Sequence, residues 1–184
     1  MHCMNRPERR RIPEDTWKGM VRYGVTPSMN LLMNDGTGAF LFLERKNEPA
    51  MGHWWVPGGR IRNGETAEQA VYRLAEEEIG LLPDMYDVQH VSDRHNEEIF
   101  PVAAMDPAHA VERYGPDVTH VHYWGGMAYL TLKPGTTPDI SLDDQSSGYA
   151  WKQDLPRDLH DYVVWYFRIA HEAGFSVPKL PEGK

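Results

Sequence analysis

Residues 58–81 read GGRIRNGETAEQAVYRLAEEEIGL, and the fold follows from how this stretch is parsed. It opens as a glycine turn, crosses a polar loop and becomes a carboxylate-rich helix. Thr66-Ala67-Glu68-Gln69 has capping-box spacing, which places the N-cap at Thr66. Gly80 stands where a left-handed residue ends a helix. The spacing therefore predicts a helix over 67–79, with Ala70, Val71, Leu74 and Ala75 as its apolar stripe. Glu77 and Glu78 follow Leu74 by three and four residues, and Arg73 precedes Glu77 by four, within pairing reach. Adjacent glutamates behind a glycine turn suit a hard, oxygen-seeking divalent cation such as Mg²⁺. By itself, though, a run of glutamates on a helix is more often a solvated face.

The wider spacing changes that balance. Gly59, Glu65, Arg73, Ala75, Glu77, Glu78, Gly80 and Leu81 fall at the intervals Gly-x5-Glu-x7-Arg-Glu-U-x-Glu-Glu-x-Gly-U, where U is aliphatic, so the stretch resembles the Nudix box. Leu74 departs from it, standing where the family usually has a glutamate. Over residues 12–180 the chain is similar to the GDP-mannose mannosyl hydrolases, a Nudix branch that attacks the sugar carbon instead of phosphorus. The stretches that carry this are Asn47-Glu48-Pro49-Ala50-Met51-Gly52 with Trp55-Val56-Pro57-Gly58-Gly59-Arg60, then Arg73-Leu74, and Leu142-Asp143-Asp144-Gln145 with Tyr149 and Trp151. That branch also carries leucine after the box arginine.

The resemblance implies an α/β fold, an α/β/α sandwich with a mixed sheet, and a nucleoside diphosphate sugar or related compound as substrate. It implies Mg²⁺, with Mn²⁺ as an alternative, held by the Gly58 carbonyl, Glu77, Glu78 and Gln145. Glu77 either binds a second cation or pairs with Arg73. Arg45 and Arg60 match leaving-group arginines, and with Glu77 they are the catalytic candidates. Asn30, His95, His122 and Tyr123 complete the substrate-binding set; Arg94 competes with His95 for its place. Ser146 stands where the branch has its histidine base, and a serine is a poor proton acceptor near neutral pH. Replacement bases are Asp143, Asp144, Glu77 or a histidine on another strand. Attack at phosphorus, and a binding module without catalysis, stay open as alternatives. A homodimer is also implied, with residues 12–23 contributing.

Composition bounds the remaining possibilities. The 184 residues fit one domain at 12–180 after a flexible tail at 1–11, and 41% hydrophobic content is that of a globular chain. A net charge of −8 argues against a duplex nucleic-acid binder while leaving a metal-assisted nucleotide site open. The single Cys3 suits a reducing, cytoplasmic setting, and no apolar run is long enough to span a membrane.

Along the chain, 12–23 reads as a short helix with Asp15 as a possible N-cap. Residues 27–34 and 39–45 read as paired strands joined at Asn34-Asp35-Gly36, and 53–56 as a short aromatic strand. Residues 86–95 and 119–132 read as strands, with Gly125-Gly126 marking a bulge or a close backbone approach. Residues 96–117, broken by prolines, read as an inserted loop or short helix. Loops at 133–147, a strand at 148–152 and a helix over 156–173 close the chain.

Overall fold

The computed structural model describes residues 12–142 and 145–181. Its elements run α1 (Glu14–Tyr23), β1 (Thr26–Asn34), β2 (Phe40–Arg45), β3 (Trp54–Trp55), β4 (Gly58–Arg60), α2 (Ala67–Ile79), β5 (Tyr86–Val91) and β6 (Asn96–Pro101). A 3₁₀ turn (Val102–Ala104), α3 (Pro107–Tyr114), β7 (His120–Leu132), β8 (Ser146–Lys152) and α4 (Asp161–Glu172) follow. Helix α2 has the predicted limits. Thr66 and Gln69 exchange side-chain and backbone bonds in a complete capping box, and Gly80 ends the helix at φ 75°.

Eight strands form one mixed sheet, ordered β3-β2-β1-β7-β5, with β4 on β1, β6 on β7 and β8 on β2. Alternation along β1 divides the core. Met29, Leu31 and Met33 face α2 with Leu41, Leu43, Leu74 and Ile79. Leu32 faces α4 with Phe40, Phe42, Val163 and Phe167. Helices thus cover both faces of the sheet, as the sandwich expectation requires.

The structure corrects several sequence expectations. β1 and β2 meet only at Asn34–Phe40. Beyond the turn they diverge, because β4 takes the vacated edge of β1 through Ser28–Arg60 and Asn30–Gly58. The long partner of β1 is β7, which runs parallel to it from Thr26–Tyr123 to Asn34–Thr131. Asp15 is inside α1, whose N-cap is Pro13 with no side-chain bond. The first part of the supposed insertion is a true strand, β6, in regular antiparallel register with β7. Of the insertion's prolines, Pro101 marks the strand end and Pro107 the first turn of α3, both positions that tolerate a missing N–H, and Pro116 follows α3. Helix α4 begins at Asp161, capped by the His160 side chain, rather than at Pro156. Among the described residues no helix is long and apolar enough to cross a membrane.

Phe167 ties the α4 layer to the sheet, packing edge-on against Phe40 at 5.1 Å and stacking on Phe42 at 5.7 Å. It is fully buried. Phe167→Ala should therefore lower unfolding free energy by about 3–5 kcal/mol, read as a lower midpoint in chemical denaturation.

Candidate active site

The splay between β2 and β4 opens a cleft of about 990 Å³. One wall is the loop of residues 60–65, which Arg73 of α2 holds in place. Its Nε and Nη2 donate to the Glu65 carboxylate at 2.6 and 2.8 Å, Nη2 also reaches the Arg60 carbonyl at 2.8 Å, and Nη1 meets Glu77 at 3.2 Å. Arg62 forks onto Glu77 at 3.1 and 2.9 Å, and its backbone N–H donates to Glu65. Glu77 makes the ion pair expected with Arg73 and a second with Arg62, so its oxygens are engaged by two guanidiniums.

Glu78 lines the same cleft with Gly58, Gly59 and Gln145. The glycine turn comes close for a steric reason. A Cβ on Gly58 would lie 2.6 Å from the Met29 carbonyl oxygen, and one on Gly59 would lie 2.8 Å from Leu74 Cδ2. Leu74 is thus the apolar floor on which the turn rests, and only glycine permits that approach. A Cβ on Gly59 would also stand 3.7 Å from Glu78 Oε1, so turn and carboxylate adjoin. Among the described residues no three His, Cys, Asp or Glu side chains cluster to hold a metal. A cation here would take Glu78 together with neutral oxygens from Gly58 and Gln145. That hard donor set fits Mg²⁺ or Mn²⁺.

Besides Arg62 and Arg73, which are tied to Glu65 and Glu77, three guanidiniums line the cleft: Arg45 from β2, Arg60 from β4 and Arg113 from α3. Among the described residues, none of the three has a carboxylate within ion-pair distance. Arg45 is placed by its Nε–H donating to the Pro49 carbonyl at 2.9 Å and by Trp55, 5.7 Å below it. Arg60 lies over Trp17 of α1 at 5.5 Å. The Arg113 Nε is buried and has no hydrogen-bond partner among the described residues. Burial, and then neighbouring cations, hold both Arg45 and Arg60 below the usual guanidinium range: Arg113 acts on Arg45, and Arg62 with Arg73 on Arg60. Unpaired, mutually repelling cations in a half-buried cleft suit a polyanionic ligand.

Asn30 lines the cleft, but its amide is engaged on both sides. Its Oδ1 accepts from the Trp55 indole at 3.0 Å and its Nδ2 donates to the Gly126 carbonyl at 3.3 Å. Tyr123 reaches the cleft, and burial holds its phenol above the usual range. His122 alternates to the opposite face of β7, where its Nε2 is buried without a partner. His95 stacks on Trp124 at 5.8 Å on that same face. Neither histidine borders the cleft. Arg94 pairs with Glu172 outside it. Ser146 sits opposite Arg45 at the start of β8, while Asp143 and Asp144 lie outside the described residues, as do Cys3 and the tail at 1–11.

The sequence reading missed Arg62, Arg113 and, above all, Glu98. Glu98 lies on β6 directly opposite Tyr123, is 3% exposed, and borders the cleft. Tyr166 of α4 donates to its Oε1. Burial pushes this carboxyl up to about 7, against the downward pull of the Tyr166 bond and the Arg45 charge. The available signal was Gly125-Gly126, whose close-approach reading is the correct one. A Cβ on Gly125 would lie 2.7 Å from Glu98 Oε1 and would collide with the Tyr166 hydroxyl.

A NUDIX domain model matches residues 24–151, and the chain belongs to the Nudix family. A low-salt glycan biosynthesis protein, Agl8, of Haloferax volcanii is 42% identical over 71 residues, covering 39% of this chain and 45% of the relative. An RNA pyrophosphohydrolase of Acinetobacter baylyi is 40% identical over 61 residues, 33% of this chain and 35% of the relative. The chain thus spans less than half the length of these curated relatives. A Nudix hydrolase structure from M. smegmatis, RenU, superposes with a TM-score of 0.56 at 18% identity, over 87% of this chain and 92% of that one. That likeness concerns the fold.

The position of Glu98 has a thermodynamic signature. A carboxyl raised on folding leaves the unfolded chain with fewer bound protons between its unfolded value and about 7, so stability falls as pH rises through that window. Wild-type unfolding free energy should drop by up to about 3 kcal/mol between pH 5 and 8 from this group. E98Q should remove that slope, as measured by denaturant titrations across the pH range.

Proposed function

We propose that the chain is a metal-dependent hydrolase of a nucleoside diphosphate joined to a second group, with a sugar as that group in the manner of the GDP-mannose mannosyl hydrolases. The observation that carries this reading is the convergence of Arg45, Arg60 and Arg113, without carboxylate partners among the described residues, on a cleft that also contains Glu78 and the glycine turn. Two phosphates bring negative charge to match these cations. The aromatic wall of Trp55, Phe100 and Tyr123 suits a flat base or a sugar face.

In this reading Glu78, Gln145 and the Gly58 carbonyl hold the cation. Mg²⁺, with Mn²⁺ as substitute, would supply charge neutralisation and polarisation at the diphosphate. Arg45 and Arg60 bind the phosphates and stabilise charge on the departing diphosphate, and Arg113 adds a third contact. Glu77, held by Arg62 and Arg73, keeps the loop and helix in register. Trp17 under Arg60 gives α1 a place in the site. Exposed Met20, Tyr23 and Val25 at and just beyond its end support a homodimer formed through α1, and the lone cysteine supports a cytoplasmic setting.

A second reading, attack at phosphorus, draws support from the pyrophosphohydrolase relatives. Phosphorus NMR of GDP-mannose and other nucleotide sugars with the protein and Mg²⁺ separates the two. A nucleoside diphosphate product establishes cleavage at the sugar carbon, whereas a nucleoside monophosphate with sugar phosphate establishes attack at phosphorus. No product across the panel would count against both. Under either chemistry Glu78→Gln should lower turnover at least about a hundredfold through weakened metal binding, partly restored by excess Mg²⁺; unchanged turnover would remove Glu78 from the metal site.

A further inference from the structure

Around Gly125 the sheet forms a polar floor that the proposed function leaves unassigned. β6 contributes Glu98, β7 contributes Gly125 with no side chain, and β1 contributes Ser28, the register partner of Gly125. Tyr166 from α4 donates to Glu98 Oε1, and no described residue hydrogen-bonds the second oxygen, Oε2. Ser28 Oγ is also buried and has no hydrogen-bond partner among the described residues. Glu98 and Ser28 both border the cleft. The Oε2 face of the Glu98 carboxyl is thus open to the cleft beside a buried hydroxyl with none of its bonds made among the described residues, and a ligand hydroxyl can meet both.

The pattern of donors and acceptors narrows that ligand. Glu98 offers an acceptor and a negative charge, while Ser28 can donate and accept. A sugar hydroxyl also donates and accepts, so it satisfies both groups. A phosphate has acceptors only and carries like charge toward Glu98, which makes it a poor occupant of this floor. We infer that Glu98 is a specificity residue of the cleft, accepting a hydrogen bond from a hydroxyl of the group attached to the nucleoside diphosphate and turning away a further phosphate. This rests on the reading of the cleft as a nucleoside-diphosphate site and extends it to the choice between a sugar-linked diphosphate and a nucleoside triphosphate. Tyr166 is the positioning residue. The charged and titratable groups bearing on Glu98 are Tyr166 from α4, Arg45 from β2 and Tyr123 from β7. Arg45 favours the charged form that would receive the hydroxyl.

The test measures affinity by calorimetry at pH 8, where the Glu98 carboxyl is charged, with Mg²⁺, for GDP-mannose and UDP-glucose against GTP and UTP. Wild-type protein should bind each sugar-linked diphosphate at least tenfold tighter than its triphosphate. E98Q removes the charge but keeps an acceptor, so triphosphate affinity should rise about tenfold while sugar-linked affinity stays within threefold. Glu98→Leu removes both, and sugar-linked affinity should fall at least tenfold. Tyr166→Phe should shift the ratio the same way by a smaller factor. If nucleotides bind and the ratio is unchanged in E98Q and Glu98→Leu, both shown to be folded by circular dichroism, the inference is overturned alone. If wild-type protein binds none of the four, the nucleoside-diphosphate reading fails and the inference with it.

Discussion

The Arg73 guanidinium is the constraint on which the cleft depends. From α2 it holds the Glu65 carboxylate, the Arg60 carbonyl and Glu77 at once. An irregular loop is thereby fixed against a regular helix, with the loop carbonyl and both carboxylates satisfied. Arg60 can face the cleft because its own backbone is anchored on the other side. Both Arg73 and Glu65 are largely removed from water, so the pair escapes most of the screening that weakens surface ion pairs. Without a fork-shaped cation at this point, the loop would have to find three partners elsewhere.

Residues 58–81 disclosed the fold because their information is local. Cap, glycine stop and apolar stripe all lie within thirteen helical residues and their immediate flanks, and the helix formed with those limits. The strand pairings were less legible. Asn34-Asp35-Gly36 signals a turn, but nothing in 27–45 records that β4 will occupy the edge of β1 and force β2 away. That competition is decided by a segment some twenty residues downstream. Proline also misled the reading at β6, where an end position costs the sheet nothing.

The candidate site was legible where the resemblance marked residues, inside the motif and beyond it. Gly58, Arg45, Arg60, Glu78 and Gln145 border one cleft. His122 does not, because strand alternation carries it to the opposite face of β7, and His95, in the loop before β6, stacks on Trp124 of that same face. Glu98 and Arg113 had no motif to mark them. Glu98 is placed by a glycine in β7 and a tyrosine in α4, contacts between residues far apart in sequence, and Arg113 by the helix α3 that carries it. The paired glycines were the single local trace of that packing.

The loop after β2 ties two parts of the cleft together. The Pro49 carbonyl receives the Arg45 side chain, the Glu48 carbonyl receives the Tyr114 hydroxyl, and the buried Glu48 carboxylate accepts from the Asp106 backbone at the start of α3. The helix that brings Arg113 to the cleft therefore shares its footing with Arg45. For protein engineering, the insertion is not an interchangeable cassette. Grafting a different segment between β6 and β7 would also withdraw the support of a cleft-facing arginine on another strand, so α3 and the 47–49 loop have to be exchanged as one piece.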